Sequence, residues 1–358
     1  MPEEKIKTEE LNETVEQDIS KDVTGEEGEG ILADVSVEKP ALPVKRQLVV
    51  VGALLLGVFS LGATPFVLDK LNSRVDPNAN IANSSGVTPS NASIEEEPFL
   101  NISIGARAAF VFDVREGRVM FEREADLSWP LASITKLMTA LVAREIIDEG
   151  AVIPMTHEAI SQAGESGLQP GESFPYRRLS DLILLTSSND GAYALAAAAG
   201  AVLEPNDGAT SFVKAMNIRA KELGLSQTYF RNPTGLDISP TEAGAYGTAR
   251  EVAKLMEYLI KNNPDILEET TLPASVFYSQ AGERLEVENT NRIVESIGTV
   301  LASKTGYTTL AGGNLVVAFD AGVSRPIIVV VLGSTHQGRF YDVLRLVEAA
   351  RNELKMKD

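Results

Sequence analysis

Apolar positions are distributed along this chain in four distinct ways. Residues 1–44 show no sustained apolar period: acids recur throughout, aromatics are scarce, and Gly25, Gly28 and Gly30 interrupt what remains. Such a composition cannot bury enough apolar surface to offset the entropy of ordering, and it predicts a disordered tail. Leu48–Leu68 is the reverse, 21 residues without a charge. At 1.5 Å per residue a helix of that length spans about 31 Å, the thickness of a bilayer core. A core helix is seldom apolar on every face, so the run predicts a transmembrane span. It is too long, and begins too far into the chain, for a cleaved signal peptide. Residues 71–97, rich in Asn, Ser, Pro and Gly and ending in Glu95-Glu96-Glu97, read as a flexible linker. Its end-to-end distance as a coil would be roughly 30 Å.

From about residue 98 to 358 the pattern is that of a folded domain. "ARAAFVFDV" and "RVMFERE" flank Arg115-Glu116-Gly117 and predict a hairpin. Helical spacing then takes over at Ile134, Leu137, Met138 and Leu141, and continues through Leu179–Thr186, the Ala-rich Asp190–Ala199, Ser211–Leu223 and Ala249–Ile260. Gly224 is placed as a helix C-cap. Three further strands are expected around Val300–Lys304, Asn314–Asp320 and Pro326–Leu332, and a last helix over Phe340–Leu354. Strands, helices, strands, helix is an α+β order. It predicts an antiparallel β-sheet of about five strands, shared by the two ends of the domain and flanked by helices, with the middle helices forming an inserted subdomain.

Charge refines this picture. Of the net −18, residues 1–44 carry −9 (13 acids, 4 Lys), residues 45–96 carry none, and the remaining −9 is spread over the folded region. No basic footprint exists, so no nucleic-acid partner is expected. Lys39, Lys45 and Arg46 precede the apolar span and Lys70 and Arg74 follow it, which places the N-terminus in the cytoplasm and the domain outside. The chain has no Cys and only two His, His157 and His336. Disulfides and thiolate catalysis are thereby excluded, and a zinc site is not expected. Each histidine reads as a surface residue.

One local conflict carries chemistry. In "SWPLASITKLMTALV", Ser133 stands where a helix N-cap belongs, yet the first turn holds Lys136, where the helix dipole and a capping box favour an acid. Lys136 is one turn from Ser133, within reach of its hydroxyl. A lysine can act as base for a serine if burial and a second cation disfavour its ammonium. The S-x-x-K spacing alone decides little, since Ser36–Lys39 and Ser211–Lys214 share it; the plain alternative is an N-cap beside a solvated lysine. Two further stretches bear on the choice. "LLTSSNDGAYALA" sets Ser187 and Asn189 between two helices, where an ordinary cap is the default. "LASKTGYTTLAGG" sets Lys304, Thr305 and Gly306 at a strand end, where a Gly turn is the default and Gly306 could let a substrate backbone approach the strand edge.

S-x-x-K, S-x-N and K-T-G in this order form the signature set of penicillin-binding proteins and class A β-lactamases. The chain resembles the serine-type D-alanyl-D-alanine carboxypeptidases (peptidase family S11), the low-molecular-mass penicillin-binding proteins, over roughly residues 100–350. "PLASITKLMTA", "FVKAMNIRAKELGL", "TYFRNPTGLD", "SKTGYT" and "VVVLGSTHQGR" extend the likeness beyond the three motifs. The resemblance implies a β-lactamase/transpeptidase-like fold with the site between sheet and helical subdomain. It implies Ser133 as nucleophile on the carbonyl between the two terminal D-alanines of a peptidoglycan stem peptide, Lys136 as general base, and Ser187 as proton relay to the leaving amine. Asn189 would bind the substrate amide and hold Lys136. Lys304 would lower the Lys136 pKa and, with Thr305 and Arg339, receive the terminal carboxylate. The N–H groups of Ser133 and Tyr307 would form the oxyanion hole, a donor pair of which each member is worth about 3–4 kcal/mol to the transition state. No metal or organic cofactor is implied, and β-lactams should acylate Ser133.

The sequence departs from the family pattern in places. Ser188 stands where Gly is usual, Asp190-Gly191 replaces Asp-Ala, Thr234 replaces His, and "AYGTA" replaces His-Tyr-Ser-Thr-Ala. Many relatives anchor through a C-terminal amphipathic helix; here Leu48–Leu68 would do so. Two other readings stand beside this one. A β-lactamase on the same fold would need a Glu-x-x-Leu-Asn pattern, which is missing between Asn189 and Lys304. A non-catalytic wall-binding scaffold, recruiting a cytoplasmic partner through the acidic tail, would have no reason to keep Ser133, Lys136, Ser187, Asn189 and Lys304 together.

Overall fold

The computed structural model describes residues 98–357, apart from residues 165 and 323. The acidic tail, the apolar span and the linker lie outside the described residues. Among the described residues no helix is long and apolar enough to cross a membrane.

Five strands form the central sheet: β1 (Ala108–Asp113), β2 (Arg118–Arg123), β3 (Val300–Thr308), β4 (Gly312–Asp320) and β5 (Pro326–Ser334). They lie in the order β3-β4-β5-β1-β2, with every neighbouring pair antiparallel. The two ends of the domain therefore share one sheet, as the α+β pattern predicted. β1, β4 and β5 read as almost continuous apolar runs because both faces of the sheet are covered. On one face Phe110, Val316 and Val330 join the core of the helical region. On the other, Val111, Val317, Phe319 and Val329 pack with Phe340, Val343, Leu346 and Val347 of the C-terminal helix.

The long helices are α1 (Lys136–Ile146), α2 (Tyr176–Thr186), α3 (Asn189–Leu203), α4 (Gly208–Glu222), α5 (Ala249–Asn262) and α6 (Gly338–Lys357). α4 stops as expected: Gly224 has φ +68, its N–H reaches the Lys221 carbonyl at 2.9 Å and Leu225 N–H reaches Ala220 O at 2.9 Å. That pair of bonds satisfies carbonyls the helix leaves open. α5 is capped by Thr248, whose side chain accepts from Glu251 N.

Three features differ from the periodicity. Ser133 is not an N-cap: it lies inside a 3-10 turn, Ala132–Thr135, and α1 begins only at Lys136. The K-T-G stretch is not a strand end, because β3 runs on to Thr308, pairing Gly306 with Asn314 and Tyr307 with Gly313. Between α5 and β3 the chain adds a 3-10 segment, Pro264–Thr271, and a hairpin of Ala274–Tyr278 with Arg284–Glu288. The hairpin is hidden in the sequence because "RLEVE" is mostly solvent-facing and carries little apolar signal.

The sheet face under α6 sets a stability expectation. Phe319 is fully buried and the Arg351 guanidinium lies 5.0 Å from its ring centroid. Phe319→Ala leaves a cavity between sheet and helix and should cost about 3–5 kcal/mol, read as a lowered urea midpoint with an unchanged m-value.

Candidate active site

The site begins with a strained turn. Ala132 has φ +49, a left-handed conformation that costs a non-glycine residue about 1–2 kcal/mol. Tight packing holds it there. A Cβ on Gly235 would lie 1.9 Å from the Ala132 carbonyl oxygen, and one on Gly306 would lie 2.9 Å from Leu131 O. Asn314 Nδ2 donates to Pro130 O at 2.9 Å and Leu131 O at 3.1 Å, tying the turn to β4. Gly306 thus lets the turn that carries Ser133 approach β3. The 3-10 geometry also explains why Ser133 caps nothing. Its hydroxyl is instead a partner of Lys136.

Lys136 is fully buried at the start of α1. Its Nζ donates to Ser133 Oγ at 3.0 Å, Asn189 Oδ1 at 2.6 Å and Thr234 O at 2.7 Å. Three N–H groups meet three acceptors, so no proton is left unpaired. Burial, and then the charge of Lys304, hold its pKa well below the usual lysine value. Asn189 is oriented by a second bond, Nδ2 to Ala163 O at 2.6 Å.

The other members of the set surround this pair. Ser187 ends α2 in the left-handed region, φ +65, and the cap of α3 is its neighbour Ser188, which accepts from Gly191 N at 2.9 Å. Ser187 and Asn189 share a wall of a cavity of about 450 Å³. No hydrogen bond joins Ser187 to Ser133 or Lys136 among the described residues. Lys304 is buried on β3, with Nζ 3.1 Å from Thr305 O; burial first and Arg339 second push its pKa down to about 7. Thr305 Oγ1 donates to Thr290 Oγ1 at 2.7 Å. Arg339, at the start of α6, donates from Nη1 to Gly306 O at 2.7 Å. It is buried, not a surface arginine, and burial followed by Arg292 brings its pKa down to about 10.

Several participants escaped the sequence. Thr234 contributes a carbonyl, which any side chain can accompany, so its departure from the family's His leaves the contact intact. Thr290 and Arg292 sit after the unanticipated hairpin. His336 is exposed, as expected, but it meets the Tyr307 ring edge-on at 4.7 Å between centroids and Arg339 Nη2 at 3.4 Å. By contrast Lys214, of the other S-x-x-K spacing in the folded region, is solvent-exposed on α4.

A five-stranded antiparallel sheet with helices on both faces, and a buried lysine bonded to a serine between sheet and helices, define the fold of the penicillin-binding proteins. In agreement, penicillin-binding protein D2 from Listeria monocytogenes, solved in an ampicillin-bound form, is similar with a TM-score of 0.59 and 30% identity, over 70% of this chain and 98% of that one. A family model described as D-alanyl-D-alanine carboxypeptidase matches residues 91–336. Among curated relatives, D-alanyl-D-alanine carboxypeptidase DacF of Bacillus subtilis is 31% identical over 68% of this chain. The match spans 62% of that relative's own length. A D-alanyl-D-alanine endopeptidase of Pseudomonas aeruginosa is 32% identical over 69% of this chain and 77% of its own. The chain belongs to the D-alanyl-D-alanine carboxypeptidase family.

The buried lysines carry a signature in stability. The folded pKa of Lys304, about 7, lies below its unfolded value of 10.5. Between these values the unfolded chain binds more protons, so this group makes stability rise with pH, by at most about 1.4 kcal/mol per pH unit. The wild-type advantage gained between pH 7 and 10 should be smaller in Lys304→Met, measured by urea unfolding across that range.

Proposed function

We propose that this chain is a membrane-anchored serine D-Ala-D-Ala carboxypeptidase that removes the terminal D-alanine from peptidoglycan stem peptides. The observation that carries this reading is the 3.0 Å contact between Ser133 Oγ and a buried Lys136 Nζ whose ammonium is disfavoured. A neutral Lys136 takes the Ser133 hydroxyl proton as Oγ bonds to the carbonyl carbon before the last D-alanine. The oxyanion is received by the Ser133 and Tyr307 N–H groups. The C–N bond then breaks, and a proton passes from Lys136 by way of Ser187 to the departing amine. Water, deprotonated in turn, hydrolyses the ester on Ser133 and restores the hydroxyl.

Binding follows the charges. Asn189 holds the substrate amide while keeping Lys136 in place. Lys304, Thr305 and Arg339 receive the terminal carboxylate. β-Lactams share the acyl and carboxylate features and acylate the same serine. Leu48–Leu68 anchors the chain in the bacterial cell membrane, with the acidic tail in the cytoplasm, where its partner is unassigned, and the domain of residues 98–358 outside. Names of similar proteins include both carboxypeptidases and endopeptidases; the free-carboxylate recognition by Arg339 favours the first.

The full chain should bind a fluorescent penicillin stably, and Ser133→Ala should not. Rapid release of the label would indicate a β-lactamase, and no labelling of wild type would sink both enzyme readings. D-Alanine release from a D-Ala-D-Ala peptide tests the substrate. A second expectation concerns pH. Loss of the Lys304 charge lets the Lys136 pKa rise, and the base must be neutral, so Lys304→Gln should move the acid limb of the acylation profile to higher pH.

A further inference from the structure

A neutral amine has two N–H donors and one lone pair, so its direction depends on what surrounds it. Of the three atoms around Lys136 Nζ, Asn189 Oδ1 at 2.6 Å and Thr234 O at 2.7 Å can only accept, whereas Ser133 Oγ at 3.0 Å can also donate. With both carbonyls in place the two N–H groups are assigned, and the lone pair is left to the serine hydroxyl. Asn189 is held by Ala163 O. The Thr234 carbonyl belongs to a loop that is held from two sides. Asn232 Oδ1 accepts from Thr234 N at 3.2 Å and Gly235 N at 2.7 Å, and its Nδ2 donates to Leu236 O at 2.9 Å. Thr139, fully buried on α1, donates from Oγ1 to Pro233 O at 2.6 Å. A threonine inside a helix ordinarily turns its hydroxyl to the carbonyl four residues back. For Thr139 that is Thr135 O, at 3.5 Å. The hydroxyl instead crosses to the loop.

We propose that Thr139 is a positioning residue for the base: by fixing Pro233 it seats the Thr234 carbonyl on Lys136, and so turns the lone pair of the neutral amine toward Ser133 Oγ. The inference rests on the reading of Lys136 as general base. The base and the clamp on its second acceptor stand one turn apart on α1, so a shift of that helix moves both together. Pro233 has a fixed φ, and a hold on its carbonyl passes to the next peptide with little slack. If Thr234 O drew back, the neutral amine could donate to Ser133 Oγ. The hydroxyl would then face an N–H where it needs a lone pair to take its proton.

The full chain carrying Thr139→Val tests this, with acylation of Ser133 by a fluorescent penicillin followed against pH and rates taken per labelled site. A methyl stands off a carbonyl oxygen at about 3.3–3.6 Å, so the substitution removes the bond and pushes Pro233 away. Two changes should follow. The plateau rate should fall about tenfold to a hundredfold, the scale for a misplaced catalytic group. The acid limb should move to lower pH, because the ammonium loses a charge-assisted acceptor where burial already disfavours it. Lys304, the charged neighbour of Lys136, is left in place. Thr139→Ser, which keeps the hydroxyl, should restore both plateau and limb. A wild-type plateau in Thr139→Val overturns the proposal. So does a lower plateau with the limb unmoved or raised, which marks a general loosening of the site. Neutron diffraction of wild type at a plateau pH needs no variant. The amine deuterons should lie toward Asn189 Oδ1 and Thr234 O, and one lying toward Ser133 Oγ overturns the proposal. In each of these cases acylation of wild type leaves the enzyme reading standing, whereas no acylation of wild type overturns both.

Discussion

A primary amine that is fully buried between Ser133 Oγ, Asn189 Oδ1 and Thr234 O places conditions on every element around it. Its three acceptors come from a 3-10 turn, the first residue of α3 and a loop ahead of α5. Each must arrive within hydrogen-bond distance of one point, because an unpaired N–H there would be costly. This explains why the local backbone is specialised at all three arrivals. Ala132 and Ser187 occupy left-handed conformations. Gly235, at φ +80, presses against the turn where no Cβ could fit. Asn189 is fixed from behind by the Ala163 carbonyl. The sheet supplies the rigid surface against which these pieces are held, with β3 and β4 clamping the turn through Gly306 and Asn314.

Stability is given up at this point for reactivity. A cation in the first turn of α1 opposes the helix dipole, and Lys304 places a second ammonium nearby. Neither arrangement helps folding at neutral pH. What they supply is a lysine that can lose its proton while still within 3.0 Å of a serine hydroxyl. The wide apolar cores on the two faces of the sheet, Val316 and Val330 on one side and Val317, Phe319 and Val329 on the other, are where the fold recovers that loss.

The sheet and most helices were legible because β1, β4 and β5 are buried on both faces and α4 and α5 carry clear caps. The three motifs were legible because they pair chemically unusual residues at short range. Other features left no trace for physical reasons. A backbone carbonyl, as at Thr234, does not depend on the side chain that names it. The turn around Ser133 is defined by Gly235 and Gly306, which are 102 and 173 positions away in sequence, and long-range packing of that kind has no local period. The Arg284–Glu288 strand has a wet face and alternates too weakly to declare itself, so Thr290 and Arg292 behind it could not be placed.

The cations of the site act on one another in series. Arg292 lowers Arg339, Arg339 lowers Lys304, and Lys304 lowers Lys136, with burial the larger cause at each step. A carboxylate bound at Thr305 and Arg339 would enter this series in the middle. It would favour the protonated form of Lys304, whose pKa of about 7 leaves it divided between two states at neutral pH. In the proposed mechanism a protonated Lys304 would disfavour the ammonium of Lys136, and the bound carboxylate's own charge would oppose that effect. Carboxylate binding and the state of the proposed base would thus be electrostatically coupled, and the coupling depends on both lysines being kept out of water.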